Sequence, residues 1–202
     1  MPRGKTVFYL GLDLGQRRDP SAIAVVERGL DQRLLVRHLE RIPLGTSYPR
    51  VVSRVKEILA LEELCGRCSV AADATGVGAP VMDMLRDARL GSEIASVTIT
   101  SGERESQSGQ TWNVPKRDLM AGLQVLLERD QLRIAEMLRD AGPLMRELMN
   151  VRTRRKENGR ERMGADGYGE QDDLVIALAL GCWRAGKQLP RYGESSHRFR
   201  TG

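Results

Sequence analysis

Histidine, cysteine and aromatic residues are all scarce in this chain. Its 202 residues include two histidines, three cysteines and 4% aromatics. His38 and His197 stand in unrelated contexts, so a zinc centre of the usual histidine and cysteine kind lacks ligands. Cys65 and Cys68 form a lone Cys-x-x-Cys with no second pair and no histidine beside it, and Cys182 is remote in sequence. A structural zinc site needs about four ligands, and nothing around the pair resembles a thiol–disulfide active site. Reduced thiols in a cytosolic compartment are therefore the expectation. No run approaches the roughly 20 apolar residues that span a bilayer. The first residues, Met1-Pro2-Arg3-Gly4-Lys5, lead straight into a strand-like segment instead of a signal-peptide core. No membrane role is expected, and the location is expected to be cytoplasmic.

Charge, by contrast, is plentiful. Lys and Arg number 32 against 27 Asp and Glu, a formal balance of +5. A basic excess of this size favours a polyanionic partner. Hydrophobic residues make up 41% of the chain, enough for one sizeable globular core. We assign residues 1–186 to a single domain and 187–202 to a polar tail expected to be flexible.

Val7 to Leu12, Ser21 to Glu27 and Arg33 to Leu39 have strand character and short connections, which predicts an antiparallel meander. Apolar residues at helical spacing follow over Tyr48 to Leu64. Next come a strand at Ser69 to Ala72, a helix from Ala79 to Ala88 and a strand at Ile94 to Ile99. Thr100 to Trp112 is polar and glycine-containing, and is expected to be a mobile loop. Pro115 opens an amphipathic helix carrying Leu119, Leu123, Leu126 and Leu127. A short strand at Gln131 to Ile134 and a helix with Leu144, Leu148 and Met149 complete this part. Asn158-Gly159 then predicts a hairpin with Arg152, Arg154, Arg155, Lys156, Arg160 and Arg162 along its arms. The order of elements is that of an α/β domain.

The most informative stretch is Gln171-Asp172-Asp173-Leu174-Val175-Ile176-Ala177-Leu178-Ala179-Leu180, two adjacent aspartates opening an otherwise apolar helix. A helix apolar on nearly every side is usually buried, and buried carboxylates are costly unless paired or hydrogen-bonded. One role for the pair is an N-cap with a favourable dipole charge, contributing about 0.5–2 kcal/mol. Other carboxylates occupy comparable places. Asp13 ends the first strand between Leu12 and Leu14, and by alternation faces away from both. Asp73 ends a later strand, before the small residues Ala74-Thr75-Gly76-Val77-Gly78. Strand ends are where open α/β sheets bind ligands. If these acids converge, their repulsion calls for hard divalent cations with oxygen ligands, Mg²⁺ or Mn²⁺. Two such ions about 4 Å apart would activate water and stabilise the leaving oxygen of a phosphodiester.

The ordered set of motifs resembles the nuclease domain of the large terminase subunit of tailed phages and herpesviruses. The matching pieces are Gly11-Leu12-Asp13-Leu14-Gly15 with Asp19-Pro20-Ser21-Ala22, Asp73-Ala74-Thr75-Gly76-Val77-Gly78, Ile99 to Gly102, Pro115-Lys116, and the run from Gln171 to Ala179. That resemblance implies an RNase H-like mixed sheet, antiparallel strands 1–3 followed by parallel strands, flanked by helices. It implies cleavage of double-stranded DNA with two ions of Mg²⁺ or Mn²⁺ held by Asp13, Asp73 and the Asp172/Asp173 pair, as catalytic and metal-binding residues. Where the family often has histidine before the paired aspartates, this chain has Gln171. Implied partners are a terminase ATPase domain, the small terminase subunit and the portal protein. The chain itself has no G-x-x-x-x-G-K-[ST] phosphate loop, so cutting and not pumping is the expected activity.

Lys116 and the basic hairpin are candidate phosphate contacts, and nothing resembles a base-reading motif. Three other readings fit parts of the pattern. A Holliday-junction resolvase would share the fold. An actin-like ATPase or sugar kinase would share the opening Asp13-Leu14-Gly15. A DNA-binding module would keep the fold without cutting.

Overall fold

The computed structural model describes residues 7–15, 19–77, 79–150, 152–155, 161–164 and 172–188, with backbone alone at 152–155 and 161–164. In chain order the elements are β1 (Val7–Asp13), β2 (Ala22–Arg28), β3 (Leu34–Arg41), α1 (Tyr48–Leu59), β4 (Cys68–Asp73), α2 (Ala79–Asp87) and β5 (Ile94–Thr100). They continue with β6 (Ser106–Ser108), β7 (Thr111–Pro115), α3 (Lys116–Glu128), β8 (Leu132–Ile134), α4 (Ala141–Asn150), β9 (Arg152–Arg155), β10 (Glu161–Gly164) and α5 (Asp173–Lys187).

An eight-stranded sheet runs in the order β6-β7-β5-β4-β1-β2-β3-β8. The predicted meander is present: β1 pairs antiparallel with β2, and β2 with β3. Parallel pairing then carries the sheet outward through β1·β4, β4·β5 and β5·β7, with β8 parallel to β3 at the other edge. Strand alternation sorts the core into two layers. Phe8, Leu10, Leu12 and Leu14 join α1 and α2 on one face, while Tyr9 belongs to the core formed with α3, α4 and α5 on the other.

Three expectations need correction. The stretch from Thr100 to Trp112 is not a loop throughout, because β6 and β7 form an antiparallel hairpin turning at Gly109 (φ +60°). Its exposed polar residues hide the pattern: backbone pairing, the Asn113–Ser106 side-chain hydrogen bond and the seating of Val114 and Trp112 against the core hold it. Helix α1 stops at Leu59, short of Leu64, because the chain must reverse through Gly66 (φ +65°) to enter β4. Pro115 does not begin α3 as its first helical residue; it ends β7 and occupies the N-cap position.

The predicted basic hairpin exists as the antiparallel pair β9·β10, with Arg154 opposite Arg162. Its connection, with Lys156 and Arg160, lies outside the described residues, as do Gln171 and residues 189–202 of the tail. Among the described residues no helix is long and apolar enough to cross a membrane.

α5 is the central helix of its layer, and twelve of its fifteen residues are buried. It crosses β1 at glycine: a Cβ on Gly11 would lie 1.9 Å from the Ala177 carbonyl oxygen, and Gly181 packs back against Gly11 and Tyr9. The helix therefore runs antiparallel to β1, with its N-terminus over the strand's C-terminal end. From Gly11 to Asp13 is about 6.6 Å along a strand, and from Ala177 back to Asp173 about 6 Å along a helix. Two elementary rises thus bring the first helical aspartate to the end of β1.

Candidate metal centre

The end of β1, the end of β4 and the starts of α3 and α5 enclose one cleft of about 480 Å³. Asp13, Asp19, Asp73, Lys116, Asp172 and Asp173 all line it, beside Leu14, Gly15, Thr75, Ile99 and Ile176. All four carboxylates expected as a site from sequence are therefore brought together. Asp13 faces away from Leu12 and Leu14, as alternation requires.

Different local devices hold each acid. The chain leaves β1 in a tight fold at Gly15, where a Cβ would lie 2.1 Å from the Asp19 carbonyl oxygen; the Gly15 N–H donates to Ser21 Oγ at 3.1 Å. This close approach returns Asp19 to the cleft. Asp73 Oδ1 accepts the Thr75 N–H at 2.8 Å, and Thr75 Oγ1 in turn accepts the Ile99 N–H at 2.8 Å. The turn after β4 is thereby tied to β5.

The two aspartates of the pair have different surroundings. Asp172 occupies the N-cap position of α5, yet its side chain makes no capping hydrogen bond. Instead its Oδ2 accepts from Lys116 Nζ at 2.6 Å. Asp173 is only 4% exposed, and its Oδ2 accepts from Arg41 Nε at 2.7 Å. Its other oxygen, Oδ1, is buried with no hydrogen-bond partner among the described residues.

Electrostatics match this crowding. Burial, followed by the charges of Asp73, Asp173 and Asp172, holds the Asp13 carboxyl well above the usual carboxylate range, against the opposing pull of Lys116. Burial also raises Asp73, opposed first by its hydrogen bonds with Thr75 and then by Lys116. Asp173 is raised by burial too, with Arg41 opposing. Burial is the first cause at all three acids, and the charges of neighbouring carboxylates add to it.

The donor set fits a hard divalent ion. It consists of carboxylate oxygens, one of them buried and unpaired, and among the described residues neither histidine nor cysteine joins it. The acids share a cleft without being closed around a point: among the described residues no three His, Cys, Asp or Glu side chains are already arranged to hold one ion. Lys116 and Arg41 each occupy a carboxylate oxygen.

Sequence reasoning assigned no role to Arg41 or Glu147. Arg41, at the end of β3, pairs with both Asp173 and Glu147 of α4, and Glu147 Oε2 accepts the Val175 N–H at 3.0 Å. A signal for Glu147 was present: it falls on the same face of α4 as Ala141 and Leu144, a charge on an apolar stripe. Arg41 has no such mark. Lys116, expected as a phosphate contact, lies inside the cleft as the partner of Asp172. The side chains of Arg152, Arg154, Arg155 and Arg162 lie outside the described set, although β10 runs beside α3.

No protein-family profile matches the sequence, and no curated protein does. Solved structures do match. The large terminase nuclease of thermophilic phage G20c superimposes with a TM-score of 0.67 at 26% identity, over 89% of this chain and 82% of that one. Its magnesium-bound form gives a TM-score of 0.68 at 25% identity, over 90% and 83%. The manganese-bound nuclease domain of the bacteriophage SPP1 large terminase gives 0.56 at 17% identity, over 88% and 86%, a likeness of fold. By fold, this chain is a structural relative of large terminase nuclease domains, built on the RNase H-like mixed sheet.

Proposed function

We propose that this protein is a divalent-metal-dependent endonuclease that hydrolyses double-stranded DNA, in the manner of the nuclease that ends viral DNA packaging. The observation that carries the proposal is the convergence of Asp13, Asp73 and Asp173 in one cleft, with Asp173 Oδ1 buried and without a partner among the described residues. The G20c nuclease with bound magnesium supports the choice of ion.

Asp13, Asp73 and Asp173 would hold the ions, here Mg²⁺ or Mn²⁺. Asp172 differs in being partly exposed, with Lys116 in place of Arg41 as its partner. Two bound ions would supply an activated water and charge stabilisation for the leaving oxygen. The chain's own residues set the rest. Thr75 fixes the Asp73 rotamer through its backbone N–H. Burial of Asp13 and Asp173 disfavours their charged forms in the absence of a cation, so ion binding and loss of their protons would be coupled. Lys116, at the start of α3, is placed to exchange Asp172 for a phosphate of the substrate once cations enter. The arginines of β9 and β10, Arg152, Arg154, Arg155 and Arg162, with Lys156 and Arg160, would follow the backbone beyond the cleft.

A packaging ATPase domain, a small terminase subunit and a portal protein are the partners this role would require. The test is plasmid nicking and linearisation with Mg²⁺ or Mn²⁺, comparing the wild type with Asp13→Asn and Asp73→Asn. Loss of cleavage in both variants is expected, and undiminished cleavage in both would sink the assignment. A preference for four-way junctions over linear duplex would point to a resolvase instead.

A further inference from the structure

Arg41 and Glu147 form a bridge between three elements. From the end of β3, the Arg41 guanidinium donates to Asp173 Oδ2 through Nε and to Glu147 Oε1 through a terminal nitrogen. Glu147 reaches back to α5 with its second oxygen, accepting the Val175 N–H, one of the first-turn amides that has no partner within a helix. The Arg41 backbone N–H donates to Asp140 Oδ2 at 2.9 Å, which ties the strand end to the segment leading into α4. Asp173 is therefore held on two sides, by its own ion pair and by the capping of the turn it opens. Glu147 is 6% exposed and Asp173 4%, so water does little to loosen either contact.

Resting on the metal-dependent reading of the site, we propose that Arg41 and Glu147 are positioning residues for metal binding: they fix the carboxylate of Asp173 so that Oδ2 is engaged and Oδ1 is left for the ion. A guanidinium is suited to this task, because its planar fork serves two carboxylates at once at set angles. An unpaired buried oxygen beside an occupied one is the mark of such a division. Neither Arg41 nor Glu147 lines the cleft itself, so neither touches the substrate or the reacting atoms.

Sign separates positioning from a general electrostatic effect. Arg41 is a positive charge close to a cation site, and by Coulomb's law alone its removal tightens Mn²⁺ binding. If positioning dominates, removal weakens binding, and losses of outer partners typically reach about 10–100-fold. The experiment is Mn²⁺ titration of the folded, metal-free protein, followed by the electron paramagnetic resonance of free Mn²⁺ and by isothermal calorimetry, with circular dichroism as the folding control. Arg41→Gln is expected to raise the Mn²⁺ Kd at least about tenfold. Arg41→Lys keeps the charge without the fork and is expected to restore only part of the affinity. Glu147→Gln, which weakens the bridge while Arg41 stays, is expected to move the Kd in the same direction by about threefold or more. Loss of a negative charge weakens Mn²⁺ binding on its own, so if Arg41→Gln does not fold, Arg41→Lys decides the matter, because it keeps the charge and loses only the fork. An unchanged or tighter Kd in the folded variants overturns the proposal. Asp173→Asn, titrated alongside, separates two kinds of failure. If it loses Mn²⁺ while the Arg41 and Glu147 variants keep it, only the positioning role falls; if it too binds normally, the metal site itself falls.

Discussion

Gly11 and Ala177 touch backbone to backbone, so closely that a Cβ on Gly11 would lie 1.9 Å from the Ala177 carbonyl oxygen. This contact sets how near α5 lies to β1, and through it how near Asp173 lies to Asp13. Gly11→Ala must push the helix away from the strand, because the obstructing atoms are backbone and cannot rotate aside. We expect a loss of at least about 2 kcal/mol in urea unfolding, at the upper end of ordinary overpacking. In contrast, Gly122 on α3 has open space where its Cβ would be. Gly122→Ala is expected to be stabilising by about 0.5–1 kcal/mol, through helix propensity.

Lys116 has two uses that can be separated by measurement. Its ion pair with Asp172 is partly exposed, with side-chain exposures of 29% and 28%, so the pair contributes at most about 1 kcal/mol to stability. Lys116→Ala should therefore leave the metal-free unfolding midpoint nearly unchanged. If Lys116 contacts a phosphate, the same variant weakens DNA binding and reduces the slope of log K against log salt by about 1. An unaltered salt slope would restrict Lys116 to its pairing with Asp172.

The acid cluster predicts an unusual pH dependence for the metal-free protein. Burial pushes Glu147 up to about 7, and burial also raises Asp13, Asp73 and Asp173. A carboxyl whose folded pKa exceeds its unfolded one binds more protons when folded. Stability is then greatest below the unfolded pKa and falls as pH rises toward the folded value. For Glu147 the window runs from its ordinary 4.5 to about 7. Thermal midpoints without metal should fall across that interval, and Mg²⁺ added above it should restore them by mass action. Glu147→Gln should flatten part of the decline. A midpoint that rises steadily from about pH 5 to about pH 8 without metal would contradict the crowding described here.

Much of this architecture is legible in sequence, because it rests on local periodicity. The alternation around Asp13 told which way it faces, and the apolar run after Asp173 told that its helix is buried. The β6–β7 hairpin was not legible, since exposed Ser106, Gln107 and Ser108 leave no alternation to see. The separate partners of the two aspartates were not legible either. Lys116 and Arg41 lie 56 and 132 residues from the acids they meet, and sequence spacing says nothing about such contacts. What the chain did announce was the need: a buried carboxylate on an apolar helix must find a cation.

Anomalous diffraction from crystals soaked in Mn²⁺ tests the central claim most directly. Manganese peaks between Asp13, Asp73 and Asp173, with Asp173 Oδ1 among the ligands, are the expected result. Manganese bound elsewhere on the protein, with these three carboxylates left without an ion at saturating concentration, would contradict it.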